Sequence, residues 1–98
     1  MKKLFISQPM NGKTDEEIIR ERNEAIDIAK DILNDEIEVI DSFFQNAPVE
    51  AKPLWFLGKT IQLLSGADVI YMCDGWENTR GCKIEYQCAK DYGIEIIK

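Results

Sequence analysis

The sequence predicts an α/β fold: a three-layer sandwich in which a four-stranded parallel sheet carries helices on both faces. Short apolar segments alternate with longer amphipathic ones, which is the pattern of parallel strands joined by crossover helices. Val69–Cys73 is a continuous apolar run, as expected of a strand covered on both faces. The chain has 98 residues, enough for a single domain over residues 1–98.

The first strand and helix fill the N-terminal third. Leu4–Ile6 is a short apolar segment followed by turn-forming residues. Thr14 and Glu17 have the spacing of a capping box, which predicts a helix from about Asp15 to Leu33. Helical spacing predicts its buried face as Ile18, Arg22, Ala25, Ala29 and Ile32, flanked by Ile19, Ile26 and Leu33.

The second strand and helix are separated by a longer connection. Ile37–Ile40 is predicted as the strand, and residues 41–52 as a loop. Pro53 suits the first turn of a helix, because its missing N–H would have no partner there. The helix is predicted to run through Leu64 and to end at Gly66.

The C-terminal third repeats the pattern. Val69–Cys73 is followed by a polar loop over residues 74–79 and by a predicted helix over residues 80–92. The inward stripe of this helix is predicted as Ile84, Cys88 and Ala89, with Gly93 as its end. Ile94–Ile97 is the fourth strand. The expected strand order is 2-1-3-4, as in flavodoxin-like and Rossmann-like folds.

Composition excludes several classes of function. The formal net charge is −6 and the basic residues are scattered, which argues against a nucleic acid polymer as partner. The apolar run at the N-terminus is too short for a signal peptide or a membrane span, so we expect a cytoplasmic protein without a membrane partner. The chain has no histidine, which removes every mechanism that uses an imidazole base.

Metals and cofactors are not expected. The three cysteines include no CxxC pair, which argues against a disulfide framework and a zinc site. The glycine spacing fits neither a dinucleotide-binding motif nor a P-loop, so no cofactor is predicted. Because a chain this short buries only about two-thirds of its unfolded surface, we expect a homo-oligomer, a dimer or higher.

A ligand site is predicted where the carboxyl ends of the first and third strands meet, because the strand order reverses there. Asn11–Gly12 would let a ligand approach the backbone closely, and Lys13 or Ser7 could hold a phosphate. The alternative is a plain turn before a capped helix. The candidate substrate-binding residues in this loop are Ser7, Gln8, Pro9, Asn11, Gly12 and Lys13.

The loop after the third strand supplies the candidate catalytic carboxylates. Asp74 ends an apolar strand, so its carboxylate is expected in the crevice. Gly81 precedes Glu85 by one helical turn and leaves space for a ligand to reach that carboxylate. Two carboxylates at one crevice suit glycoside chemistry, although Glu85 could also be an ordinary solvated side chain.

Two further residues of this region are candidates for binding and reactivity. Trp76 could stack on a base or a sugar, or else form a lid packed over the end of the sheet. Cys82 lies near the start of the third helix, which is expected to lower its pKa. Without a histidine partner, Cys82 is a weaker candidate nucleophile than Glu85.

Residues 74–89, D-G-W-E-N-T-R-G-C-K-I-E-Y-Q-C-A, resemble the signature of the nucleoside 2-deoxyribosyltransferase superfamily. In that family a strand ends in Asp, and after a loop a helix opens with Gly-x-x-x-Glu. The opening segment Leu4–Pro9 resembles the family's first strand and turn. The resemblance covers nearly the whole chain and is closest to a small branch found in bacteria and phages.

This resemblance implies a mechanism. Glu85 would attack the anomeric carbon of a 2′-deoxyribose, and a covalent glycosyl-enzyme would form as the base leaves. Asp74 would hold a sugar hydroxyl or assist the leaving base, and the N-terminal loop would hold the 5′ end. The substrate would be a deoxynucleoside or its monophosphate, and the reaction would be transfer to a second base or hydrolysis.

Two other functions stay open on the residues alone. One is a binding module that keeps the pocket for a nucleotide or a sugar phosphate and turns nothing over. The other is an interaction protein that uses Phe43, Phe44 and Trp55 as an interface, although these aromatic residues could equally belong to the core.

Overall fold

The computed structural model describes residues 1–44 and 47–98, so residues 45 and 46 of the predicted 41–52 loop lie outside the described residues. Within these ranges no helix is long and apolar enough to cross a membrane. In chain order the elements are β1 (Lys2–Ser7), α1 (Asp15–Leu33), β2 (Ile37–Val39), α2 (Pro53–Leu64), β3 (Val69–Met72), a 3-10 turn (Trp76–Asn78), α3 (Arg80–Asp91) and β4 (Glu95–Ile97).

The four strands form one parallel sheet in the order β2-β1-β3-β4, which confirms the predicted topology. β1 and β3 are the central pair, and their register sets Leu4 beside Val69 and Ser7 beside Met72. Because both strands point the same way, Ser7 and the loop after β3 reach the same edge of the sheet. This is the edge at which the sequence predicts the ligand site.

Each face of the sheet has its own core. Leu4 and Ile6 of β1 pack with Ala25 and Ala29 of α1 on one face. Phe5, whose side chain lies on the opposite face by strand alternation, packs with residues of α2 and α3, namely Leu64, Cys82 and Ala89. The two cores confirm a three-layer arrangement with α1 on one side and α2 and α3 on the other.

The helix ends test three predictions. The Thr14 capping box is present, since the Thr14 hydroxyl accepts from the Glu17 N–H and the Glu17 carboxylate accepts from the Thr14 N–H. Gly93 has φ +73°, and its left-handed backbone follows the end of α3 as predicted. α2 ends at Leu64 as predicted, but through Ser65 in right-handed geometry; Gly66 does not adopt a positive φ, so its role as a glycine cap was wrong.

Two predicted inward positions are also wrong. Ile32 is exposed, and Leu33 packs against the core in its place, because the contacting row of α1 follows steps of four from Ala29. On α3 the buried positions are Cys82, Glu85 and Ala89, which leaves Ile84 at the exposed margin of the helix. The inward face of α3 therefore includes a carboxylate, which a search for apolar residues alone passes over.

Candidate functional site

Glu85 is held against the end of the central strand. Its side chain is on the inward face of α3 and is 7% exposed. Ser7, the last residue of β1, is fully buried, and its Oγ donates to Glu85 Oε1 at 2.6 Å. The length of this bond is typical of a hydroxyl donating to a carboxylate. The fold thus brings together a predicted catalytic residue and a predicted substrate-binding residue.

The environment of Glu85 favours its protonated form. Burial raises the pKa of this carboxyl group above its ordinary value, because the charged form loses its hydration. The hydroxyls of Ser7 and Thr60 lower the pKa in part, since each favours the ionised form. Of the two hydroxyls, that of Ser7 donates to Glu85, whereas the Thr60 hydroxyl donates to the Leu57 carbonyl oxygen at 3.0 Å.

A cavity of about 170 Å³ opens beside Glu85. Its walls include all four phenylalanines of the chain: Phe5, Phe43, Phe44 and Phe56. Polar groups are few and comprise Gln8, Ser42, Thr60 and Glu85. Flat apolar walls with a few polar side chains are typical of a small-molecule site, and one carboxylate at the wall gives such a site a nucleophile or an acid.

Gln8 lies in the wall of this cavity. It is 7% exposed, and its Nε2 donates to the Ile18 carbonyl oxygen at 2.9 Å and to Glu21 Oε1 at 3.1 Å. These two bonds orient the amide, and its Oε1 has no hydrogen-bond partner among the described residues. Gln8 therefore keeps an unused acceptor, and that oxygen is itself buried.

Met10 of the N-terminal loop also lines the cavity, but the other predicted binding residues of this loop lie outside its wall. Asn11 and Gly12 are exposed, and Gly12 takes a turn with φ +77°. Lys13 Nζ binds both carboxylate oxygens of Glu21, at 2.8 and 2.9 Å. Pro9 lies near Gly75, where an added Cβ would meet the Pro9 Cγ at 3.7 Å. The charge that was expected to meet a phosphate on Lys13 is thus already paired.

Asp74 is not brought to the Glu85 cavity. It is exposed and borders a separate groove of about 100 Å³ on the α1 side, together with Glu21, Glu24 and Tyr71. The chain reverses directly after β3, where the Trp76 N–H bonds the Cys73 carbonyl oxygen. The two candidate carboxylates therefore border different concavities, and a catalytic role for Asp74 stays a prediction.

Trp76 and Gly81 also lie beside the cavity rather than in its wall. The Trp76 ring stacks on Tyr86 with centroids 4.5 Å apart, and Lys98 Nζ lies 5.7 Å from the Trp76 centroid. This packing corresponds to the lid alternative for Trp76. A Cβ built on Gly81 would meet no atom within 4 Å, so the space next to it is open, as predicted.

The expectation for Cys82 was wrong. Cys82 is buried, and burial raises its pKa to about 11, which outweighs the opposite influence of the Ser7 hydroxyl. Proximity to a helix start lowers a thiol pKa only where the thiolate remains hydrated or paired. At neutral pH Cys82 is a protonated packing residue.

Sequence reasoning missed four contributors to the site: Met10, Ser42, Phe56 and Thr60. Phe56 and Thr60 are four residues apart and share a face of α2, a spacing that could have indicated a common surface. Phe43 and Phe44, which were considered for an interface, line the cavity.

Comparisons with known proteins give the family but no function. No curated protein and no solved structure matched the chain. One family model matched residues 2–98, nearly the whole chain, and it is described as a domain of unknown function, DUF4406. The chain belongs to the DUF4406 family.

Proposed function

We propose that this protein cleaves the N-glycosidic bond of 2′-deoxynucleosides or their monophosphates, with Glu85 as the nucleophile. One observation carries the proposal: a buried carboxylate, oriented by a 2.6 Å hydrogen bond from Ser7, lines a cavity with aromatic walls. The resemblance of residues 74–89 to the nucleoside 2-deoxyribosyltransferase signature supports the same role. Because the chain contains no histidine, a carboxylate is also the nucleophile that its composition favours.

The reaction has two displacement steps. A carboxylate oxygen of Glu85 attacks the anomeric carbon, and the C–N bond breaks with its electron pair passing to the base, which takes a proton from solvent. Water or a second base then attacks the same carbon, and the Glu85 carboxylate leaves with the electron pair of the ester bond. The incoming water or base loses a proton to solvent. Two inversions give net retention.

The Ser7 hydroxyl orients the attacking carboxylate in this mechanism. Its bond to Oε1 fixes the side-chain rotamer and stabilises the ionised form against the cost of burial. The aromatic walls suit a flat base or the apolar face of a sugar. Since pockets for drug-sized ligands enclose about 300–1,000 Å³, a cavity of about 170 Å³ suits one ring of a nucleoside, with the remainder at the opening.

Release of free base is the experiment that tests this function. The protein is incubated at high concentration with each deoxynucleoside and deoxynucleoside monophosphate, with and without an acceptor base, and the products are separated by chromatography. Base release by the wild type and its loss in Glu85→Gln are expected. The matched control Glu77→Gln, which makes the same change at an exposed position, should keep the activity. If no substrate releases base, the proposed function is wrong.

A binding module without turnover is the second candidate. One observation favours it: Asp74, the predicted partner carboxylate, borders a different groove from Glu85. Such a module predicts ligand-dependent thermal stabilisation without base release. The predicted homo-oligomer is common to both candidates and is tested by sedimentation; a strict monomer would contradict it.

A further inference from the structure

Arg22 is a buried cation that the proposed reaction does not use. It projects from α1 and is 7% exposed. Burial lowers the pKa of its guanidinium, yet an arginine remains protonated in a protein. Its Nη2 donates to the Ile40 carbonyl oxygen at 3.4 Å and to Ser42 Oγ at 3.3 Å, which are both long. Its Nη1 has no partner within residues 1–44 and 47–98.

The charge of Arg22 lacks a close counter-ion. Among the described residues, the two ion pairs are Lys2–Glu95 and Lys13–Glu21, and neither includes Arg22. Attraction to the exposed Asp41 raises the pKa of Arg22 and offsets only part of the effect of burial. A buried charge is strongly unfavourable unless an opposite charge or a full set of hydrogen bonds lies against it. Arg22 itself does not lie in the cavity wall, so an anion could approach this charge only across a neighbouring wall residue.

Ser42 connects this charge to the Glu85 cavity. It is 4% exposed and lies in the cavity wall, where its Oγ accepts the bond from Arg22. A hydroxyl that accepts from a guanidinium still has its own proton to donate to a ligand oxygen. The other cation considered for this site, Lys13, is already held by both oxygens of Glu21. Of these two cations, Arg22 is the one that keeps a nitrogen without a hydrogen-bond partner among the described residues.

We propose that Arg22 and Ser42 form the anion-binding element of this cavity, and that its ligand is a phosphate monoester, a 2′-deoxynucleoside 5′-monophosphate rather than the free nucleoside. The assignment of the sugar and base rests on the proposed function, whereas the phosphate site rests on Arg22 and Ser42 alone. The Ser42 hydroxyl would donate to a phosphate oxygen, and the Arg22 guanidinium, which bonds Ser42 Oγ at 3.3 Å, would supply the positive charge behind it. The phosphate then supplies the counter-charge that the described residues do not.

Binding to a variant that cannot turn over tests the proposal. In a Glu85→Gln background, calorimetry compares the four standard deoxynucleosides with their 5′-monophosphates. At least one monophosphate should bind more than about tenfold tighter than its nucleoside. Adding Arg22→Met should bring that ratio close to one, and adding Lys13→Met should leave it unchanged. A ratio near one in the parent, or loss of the preference with Lys13→Met but not Arg22→Met, overturns the proposal.

Two conservative variants keep the test decisive if Arg22→Met does not fold. Arg22→Lys keeps a charge but loses the guanidinium that bonds Ser42 Oγ, and Ser42→Ala removes the hydroxyl in the wall. Both should weaken monophosphate binding several-fold and leave nucleoside binding unchanged. Equal weakening of both ligands would contradict the assignment.

Inorganic phosphate separates this inference from the proposed function. It should raise the melting temperature of the wild type more than chloride of equal ionic strength does, and this difference should shrink in Arg22→Lys. A phosphate effect and a monophosphate preference without base release would contradict the enzyme and leave the anion site standing. Equal release of base from nucleosides and monophosphates would support the enzyme and contradict the anion site.

Discussion

Replacing Ser7 with alanine removes the hydroxyl that donates to the buried carboxylate of Glu85. A hydrogen bond to a charged group contributes about 1.5–3 kcal/mol, and a neutral one about 0.5–1.5 kcal/mol. We therefore expect Ser7→Ala to lower the free energy of unfolding by about 2–3 kcal/mol when Glu85 is ionised, and by about 1 kcal/mol when it is protonated. A loss of about 2 kcal/mol lowers the melting temperature of a domain of this size by roughly 8–16 °C.

The sign of the pH dependence follows from the pKa of Glu85. Burial already raises this pKa in the folded state, and removal of the Ser7 hydroxyl raises it further. The folded variant then holds its proton to a higher pH than the folded wild type does. Its deficit in stability is therefore small at low pH and grows as the pH rises through the folded-state pKa of the wild type.

Urea unfolding of both proteins, at a series of values between about pH 4 and pH 9, measures this difference. Ser65→Ala is the matched control, because Ser65 Oγ donates to a neutral acceptor, the Gln62 carbonyl oxygen, at 2.6 Å on an exposed helix end. The control should lose less than about 1 kcal/mol, independently of pH. A Ser7→Ala deficit below about 0.5 kcal/mol, or one that is constant with pH, would refute the reasoning.

Three other predictions concern the same region and the helix ends. Glu85→Gln should raise the free energy of unfolding near neutral pH, because it removes a carboxylate whose folded-state pKa is raised by burial. The gain is about 1.4 kcal/mol for each unit by which the folded-state pKa exceeds the unfolded one, and urea titrations should show that it vanishes below the unfolded pKa of about 4.3. A variant less stable than wild type at neutral pH would contradict this. Burial raises the pKa values of Cys73 and Cys82 to about 12 and about 11, so neither thiol should react with a disulfide reagent near pH 8 until the chain is denatured. Rapid labelling of native Cys82 would contradict the burial. Gly93→Ala should cost about 1–2 kcal/mol because φ is +73°, whereas Gly58→Ala within α2 should stabilise by about 0.5–1 kcal/mol; thermal melts in which the two behave alike would count against the helix-end geometry.

The sheet and its layers were predictable because the signals for them are local. The continuous apolar runs at Leu4–Ile6 and Val69–Cys73 predict strands that are buried on both faces, and each run is complete within a few residues. The Thr14 capping box is complete within four residues, and Gly93 acts through its own backbone. Parallel order then follows from the alternation of strands and helices.

The site was predictable in position but not in its contacts. Glu85 faces inward, where it accepts a hydrogen bond from Ser7. Because Ser7 is 78 residues away in the chain, no local spacing indicates that bond. Arg22 was correctly predicted on the buried stripe of α1, but its neighbour Ser42 follows β2 and meets it only in the folded chain. Asp74 was expected beside Glu85 because both follow β3, yet the turn after β3 leaves it on another surface.

The most direct test of the central claim is to look for a deoxyribosyl group on Glu85. Wild-type protein is mixed with each deoxynucleoside and 5′-monophosphate, quenched in acid within the first turnover and measured by intact-mass and peptide mass spectrometry. A mass increase of one deoxyribosyl unit, or its 5′-phosphate, on the peptide containing Glu85 is the predicted result, with no increase in Glu85→Gln. An adduct on another residue, or base release that persists in Glu85→Gln, would contradict the account.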